Sequence, residues 1–329
     1  MTYQFVAECN PPDELCAQVS VLAPDNPFYT PGYVNSRRLL GYHPWLLCLY
    51  DGRRLLSGCT AFARQGRISR SVEIPSVPEL GEDEIYWRSF FRWCHKHRFS
   101  TISINSFASK KACIPNFIRP VQRRTRWEYI LELQKPELWK HVRKGHNWCI
   151  NRGRKAGLRV HRSADEKACQ EHARLIAASM RRRMDRGEAV SDDVRSAAFA
   201  AITQSGAGEL YQAFLGGEIV ASNLILRARN GAYNHTQGAS PEGMECGASH
   251  FLIHEIANSL RQESVEHFNL GGTDQKDSGL EKFKSGFGAT TIILELQAAE
   301  FVLRGSLLSK LTTLLSSFRN NSQVDSGQV

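Results

Sequence analysis

No run of 18 uncharged apolar residues occurs in this chain of 329, so no segment has the length and apolarity needed to cross a bilayer as a helix. The opening MTYQFVAECNPPDEL lacks a basic segment followed by a long apolar one, and export by a signal peptide is not expected. Disordered composition is scarce, confined to the closing FRNNSQVDSGQV. The nine cysteines, at 9, 16, 48, 59, 94, 113, 149, 169 and 246, form no C-x-x-C pair and no zinc-ribbon spacing. They read as reduced thiols of a cytoplasmic protein. Cys94, His95 and His97 stand close together, but at the end of a helical pattern and without a second cluster of ligands, so no metal site is expected.

What is present is an ordinary globular composition, 42% apolar and 9% aromatic, in a chain long enough for two domains with a core each. Acidic residues are outnumbered, giving a net charge of +9, and the surplus is local. Residues 137–187 hold 14 Lys/Arg against 5 Asp/Glu, an excess of nine that equals that of the whole chain. Two readings follow: a surface for a polyanion such as nucleic acid, a nucleotide-linked sugar or anionic lipid, or a solvated helical face.

The apolar pattern gives the order of elements. WLLCLYDGRRLLSGCTAF reads as two strands around an Asp51-Gly52 turn, and ISRSVEIPSV as another. A helix is expected over 84–97, then strands at FSTISINSF and RWEYILEL. The second half opens with the basic, helical LWKHVRKGHNWCINRGRKAGL and a short strand LRVHRS, with helices over 164–186 and 191–204. Three strand-like runs from Glu209 to Ser240 turn at Gly216-Gly217 and Asn230-Gly231. Leu252, Ile256 and Leu260 then form the stripe of an amphipathic helix over 248–262. EHFNLGG is a strand, a glycine-rich loop and short helix follow, and ATTIILELQ closes as a strand. Both halves run strands, helix, strand, strand.

Within that order, EHFNLGG followed by SGLEKFKSGFGA resembles the C-terminal signature of the Fem-like branch of the GNAT N-acyltransferase superfamily, which includes aminoacyltransferases that build peptidoglycan bridges. WCINRGRKAGLRV is similar to the branch's basic helix, and ELYQAFLGGEIVASNLIL to its glycine-turned hairpin. The resemblance covers residues 130–289. Asn147, Asn151 and Gly153 depart from the usual basic helix, and 164–204 leaves no room for the long helical arm of the bridge-forming enzymes. It implies an α/β (α+β) protein of tandem GNAT-like domains, each a mixed, mostly antiparallel sheet flanked by helices. The expected divisions are 1–135, 136–299, and a tail, 300–329, with a short amphipathic helix.

The same resemblance places site residues. Lys284 falls on the branch's functional lysine, set to meet substrate phosphate or a developing oxyanion. Phe283 and Phe287, four apart, anchor its helix. Gly271 and Gly272 admit substrate close to the backbone, beside Asn269. Asp274 is expected in the site and Asp277 as the N-cap of the following helix; His235 is a candidate base. Arg152, Arg154 and Lys155 are expected to hold substrate anions. No tightly bound cofactor is expected, and the acyl donor is acyl-CoA or aminoacyl-tRNA. For CoA, the segment Met244 to Ser249 keeps only one glycine of the usual pyrophosphate loop, leaving Gly247, Ala248 and Ser249 as weak candidates. Cys246 reads as an inert thiol rather than a nucleophile. The expected activity is acyl or aminoacyl transfer to an amine of a cell-envelope sugar, peptidoglycan or polysaccharide precursor. The partners would be a phosphorylated, nucleotide-linked or lipid-linked glycan precursor, tRNA, and peripherally the inner membrane surface. The competing reading is a non-catalytic basic protein that binds nucleic acid or an anionic membrane.

Overall fold

The computed structural model describes residues 3–66, 69–78, 84–110, 122–188, 190–273 and 278–302. The first half runs β1 (Tyr3–Cys9), α1 (Asp13–Leu22), a 3-10 turn (Pro27–Tyr29), α2 (Pro31–Leu39), β2 (His43–Asp51), β3 (Arg54–Gln65), β4 (Arg70–Ile74), α3 (Glu84–Lys96), β5 (Thr101–Asn105) and β6 (Gln122–Glu132). The second runs α4 (Lys144–Lys155), β7 (Arg159–Ser163), α5 (Glu166–Met184), α6 (Ser196–Gln204), β8 (Gly208–Leu215), β9 (Glu218–Arg227), β10 (Gly231–Ala239), α7 (Pro241–Glu245), α8 (Ala248–Gln262), β11 (His267–Thr273), α9 (Gly279–Ser285) and β12 (Thr290–Val302).

Each half is a mixed, mostly antiparallel group of strands flanked by helices, and the two follow one plan. In the first, β1 to β4 form a meander and β5 returns parallel to β4 after α3. In the second, β7 to β10 form the meander and β11 returns parallel to β10 after α8. The last strand of each half lies beside the other half's fifth: β6 pairs with β11, β12 pairs with β5, and β6 and β12 pair with each other. Among the described residues the strands therefore run as one ladder of twelve that continues across residue 135. β6 precedes that point in the chain and pairs beyond it. Residues 303–329, where the expected tail helix falls, lie outside the described residues.

Three cores result. One packs α3 on the first meander, another packs α4 and α8 on the second. The third joins the halves, setting Cys16, Phe28, Tyr33 and Phe62 against Cys169, Ile176, Phe199, Leu224 and Tyr233.

Candidate active site

The parallel pair β10 and β11 stays in register for only three residues, Gly231 to Tyr233 against His267 to Asn269. Both strands then change course. β10 has an irregularity between Asn234 and Thr236 against β9, and β11 has one between Asn269 and Gly272 against β6. The ladder opens there into a wedge between two parallel strands.

Lys284 from α9 reaches the β11 side of this wedge. Its Nζ donates to the Gly272 carbonyl at 2.8 Å, and the residue is 8% exposed. Gly271 makes the approach possible. It adopts φ 76°, and a Cβ there would lie 3.3 Å from Lys284 Nζ, 3.3 Å from the Asn234 carbonyl and 3.6 Å from the Tyr233 hydroxyl, so the missing side chain leaves β10, β11 and the lysine in mutual contact. Asn269 holds the turn, its Oδ1 accepting from the Gly271 N–H at 2.8 Å. Asn269, Gly271, Gly272 and Lys284, separate expectations in the sequence, thus stand together.

Behind them lies a carboxyl group that the sequence reading did not single out. Glu128, on central strand β6, is 1% exposed. It accepts from Asn269 Nδ2 at 2.6 Å, from the Ala108 N–H at 3.1 Å and from the Tyr233 hydroxyl at 3.3 Å. Burial raises its pKa, against the opposing pull of Arg126, Asn269, the Ala108 amide and Tyr233. Arg126 Nη2 also meets the Tyr233 hydroxyl at 3.4 Å, and its guanidinium lies over the Phe107 ring. Ala108 takes a left-handed φ of 57° to present its amide, so a loop of the first half supports the wedge of the second. The available signal was a glutamate inside an apolar strand buried on both faces. A cavity of about 260 Å³, lined by Ala108, Ile130, Ala232, Asn269 and Ile292 among others, adjoins this network.

Phe283 and Phe287 do anchor the lysine's helix, their rings meeting edge to face with 5.3 Å between centroids and Phe287 fully buried. The helix ends at Ser285, so Phe287 packs from the turn beyond it rather than from the same helical face. Two histidines complete this contact. His146 of α4 bonds the Phe283 carbonyl through Nε2 at 2.7 Å, and its ring stands 4.6 Å from that of His250 on α8. Burial holds His250 down to about 4, with His146 adding repulsion. The N-cap of α9 is Ser278, whose Oγ accepts from the Glu281 N–H, a role the sequence reading gave to Asp277. Asp274 and Asp277 themselves lie outside the described residues.

His235 sits at the β10 irregularity, open to solvent yet walled by protein, and burial together with Arg37 lowers its pKa to about 4. Its imidazole is neutral at pH 7. The ring faces Phe28 of the first half, 6.5 Å between centroids.

The remaining expected site residues lie elsewhere. Arg152, Arg154 and Lys155 occupy the exposed last turn of α4, where Arg154 pairs with Glu255 at 3.6 Å. Gly247 and Ala248 are buried under α4; a Cβ on Gly247 would strike the Cys149 carbonyl at 2.5 Å. Close helix packing accounts for that glycine, and of the three weak CoA candidates only Ser249 is even half-exposed. Burial raises the Cys246 thiol, against the pull of nearby backbone amides, consistent with an inert thiol. Cys94 is buried in the first core while His97 meets the Trp45 ring edge to face. Asp25, Glu266 and His267 bring their ligand atoms within 4.8 Å of one another, but Asp25 also pairs with Lys110 at 2.6 Å, which makes the group an ion-pair cluster.

The chain is similar to known proteins in sequence pattern and in fold. Residues 140–285 match the family model of the acetyltransferase (GNAT) domain. The match falls within the second half and accounts for just under half of the chain. The fold of nearly the whole chain is that of FemX, with a TM-score of 0.66 at 12% identity, covering 96% of this chain and 99% of that one. A tandem GNAT protein from the clavulanic acid biosynthesis pathway aligns over 93% of this chain and 100% of its own, with a TM-score of 0.56 at 11% identity. L-PGS from Bacillus licheniformis aligns over 92% and 96%, with a TM-score of 0.56 at 13% identity. No curated protein sequence matches the chain. The GNAT domain spans the wedge, α8, β11 and Lys284, and among the described residues no helix is long and apolar enough to cross a membrane.

Proposed function

We propose that this acyltransferase carries an acyl or aminoacyl group to an amine of a phosphorylated or lipid-linked cell-envelope glycan or peptide precursor. The observation that carries the reading is Lys284, its ammonium fixed on the Gly272 carbonyl beside a left-handed Gly271 at the opening of the wedge.

An opened parallel pair offers strand edge to an extended, amide-bearing ligand, which can add as a strand through main-chain hydrogen bonds. The arm of a thioester carrier such as CoA has that character. The acceptor amine attacks the acyl carbonyl, a C–N bond forms, and the bond to the carrier's sulfur or ribose oxygen breaks. Lys284 meets the charge that develops on the carbonyl oxygen. The amine must shed a proton. His235, exposed at the β10 irregularity beside the wedge, is a candidate base among the described residues, and Asp274 is the alternative from the sequence. Glu128, Asn269 and Tyr233 keep the glycine turn and the lysine in register. FemX and L-PGS share the fold, which supports an envelope acceptor; CoA and tRNA both stand as carriers.

The test is a mass-shift screen of acyl-CoAs and charged tRNAs against amino-sugar and peptide amines, followed by kinetics of two variants. Lys284→Met should keep the fold and lose on the order of 10²-fold in turnover, the usual cost of one oxyanion donor. Lys284→Arg should not restore it, since a planar guanidinium cannot take the place of a compact ammonium. A rise in KM at unchanged kcat would make Lys284 a phosphate anchor instead. No change in either constant would remove it from the mechanism.

A further inference from the structure

The positive surplus of residues 137–187 is not uniform once ion pairs are drawn. On α5 and the turn after it, Arg174, Arg181, Arg183 and Arg186 each face a carboxylate, and Arg182 is spent on the Ala239 carbonyl. Arg162 is held by Glu263 and Glu209. Among the described residues of this stretch Arg143, Lys144, Arg152, Lys155, Arg159 and Lys167 have no carboxylate within ion-pair distance; the first four lie on α4 or at its N-cap, Arg159 opens β7 just beyond it, and Lys167 stands alone in the first turn of α5.

That helix turns Ile150 and Gly153 into the core. Its outer face carries Lys144, Trp148 and Arg152, spaced i, i+4, i+8, with Lys155 one turn further on. Trp148 is 61% exposed, while every other described tryptophan is buried or half-buried, and the Arg152 guanidinium lies over its ring at 5.1 Å. Exposed Met244 sits on α7, three residues before the glycine that abuts Cys149 of α4.

We propose that this face of α4 docks the protein on an anionic lipid bilayer, with Trp148 entering the headgroup region and the unpaired cations meeting lipid phosphates. Indole at the interface and lysine and arginine above anionic headgroups is the chemistry such a surface selects. A lone indole among cations suits the headgroup boundary, whereas single-stranded nucleic acid is held by successive stacking aromatics, which favours lipid over nucleic acid. The face also adjoins the site: the Arg143 N–H donates to the Gly286 carbonyl at 2.9 Å, and His146 holds Phe283, the residue before Lys284. The inference deepens the proposed function, and rests on it, in naming the acceptor as lipid-linked and presented at the membrane.

Vesicle flotation needs no turnover, so it fails or succeeds separately from the activity screen. The full chain should float with vesicles of phosphatidylcholine containing phosphatidylglycerol at 0.1 M salt, and not with phosphatidylcholine alone. It should detach near 1 M salt, where the Debye length falls from about 10 Å to 3 Å. Removing two charges in Arg152→Gln/Lys155→Gln should weaken binding roughly 25-fold, about fivefold per charge, and Lys144→Gln/Lys155→Gln should match it if the first pair folds poorly. Arg181→Gln/Arg183→Gln, on the paired helix, should bind as the parent does. Brominated lipids should quench tryptophan emission in the parent and far less in Trp148→Phe. Equal binding to neutral vesicles, insensitivity to the α4 variants, or tRNA binding that depends on these residues without any vesicle binding would each overturn the proposal.

Discussion

Gly271 and Gly272 look interchangeable in the sequence, and the backbone separates them. A Cβ on Gly271 would meet Lys284 Nζ and the Asn234 carbonyl at 3.3 Å, a tight fit that small movements relieve. Its φ of 76° adds about 1–2 kcal/mol for a residue with a side chain. At Gly272, which has no positive φ, a Cβ would lie 2.1 Å from Arg126 Nε and 2.7 Å from the Trp127 carbonyl, and the neighbouring strand backbone cannot swing aside as a side-chain tip can. Gly271→Ala is therefore expected to keep the fold, with a modest fall in urea midpoint and a large fall in transfer rate. Gly272→Ala should lose more stability than Gly271→Ala. Reversal of that order in urea titrations would mean that the turn does not fix the strands as described. The glycines and lysine were legible because they stand within sixteen residues of each other. Glu128 and Tyr233 were not, since their meeting depends on β6 crossing to β11.

At the scale of elements, the strongly periodic segments were legible: α8 spans the expected 248–262, and the Asp51-Gly52 turn joins β2 to β3. Short pieces made by tertiary packing were missed, among them α2, which packs against α6 of the other half, and α7 before Gly247. The docking of α5 depended on a residue with no periodic signal. His172 is fully buried between Ser222 of β9 and Thr236 of β10, each nitrogen 2.8 Å from a hydroxyl. Burial lowers its pKa to about 3, with His235 adding to the effect. The folded protein thus holds this imidazole neutral, while the unfolded chain takes up a proton below about 6.5. Its stabilising contribution is complete above pH 6.5 and drains away as the pH falls toward the folded value. Between pH 6.5 and 4 the loss from this residue is roughly 3 kcal/mol. In His172→Gln, which can still bond both hydroxyls, denaturation midpoints should fall less steeply over that window than in the parent. Equal slopes in the two proteins would remove His172 from the acid sensitivity.

For the molecule as a whole, the repeated order of strands, helix, strand, strand is visible in sequence, but the exchange of final strands is not, because pairing between residues as far apart as Glu132 and His267, or Thr101 and Val302, leaves no periodic trace. The exchange has a thermodynamic consequence. A cut at residue 135 would leave β6 with the first fragment and strip it from β11, and would take β12 away from β5. It would also divide the core in which Phe28, Tyr33 and Phe62 pack on Ile176, Phe199 and Tyr233. Unpaired strand edges and exposed apolar surface are costly and prone to association, and neither fragment keeps a complete site, since Glu128 and the Ala108 loop fall on one side and Lys284 on the other. We expect the intact chain to unfold in one transition by circular dichroism and tryptophan fluorescence alike. Residues 1–135 and 136–329 expressed alone should show little amide protection in β5 and β11. Two separable melting steps, or a second fragment with protected β11 amides and normal transfer, would show that the halves are independent domains and that the shared strands are incidental to the site.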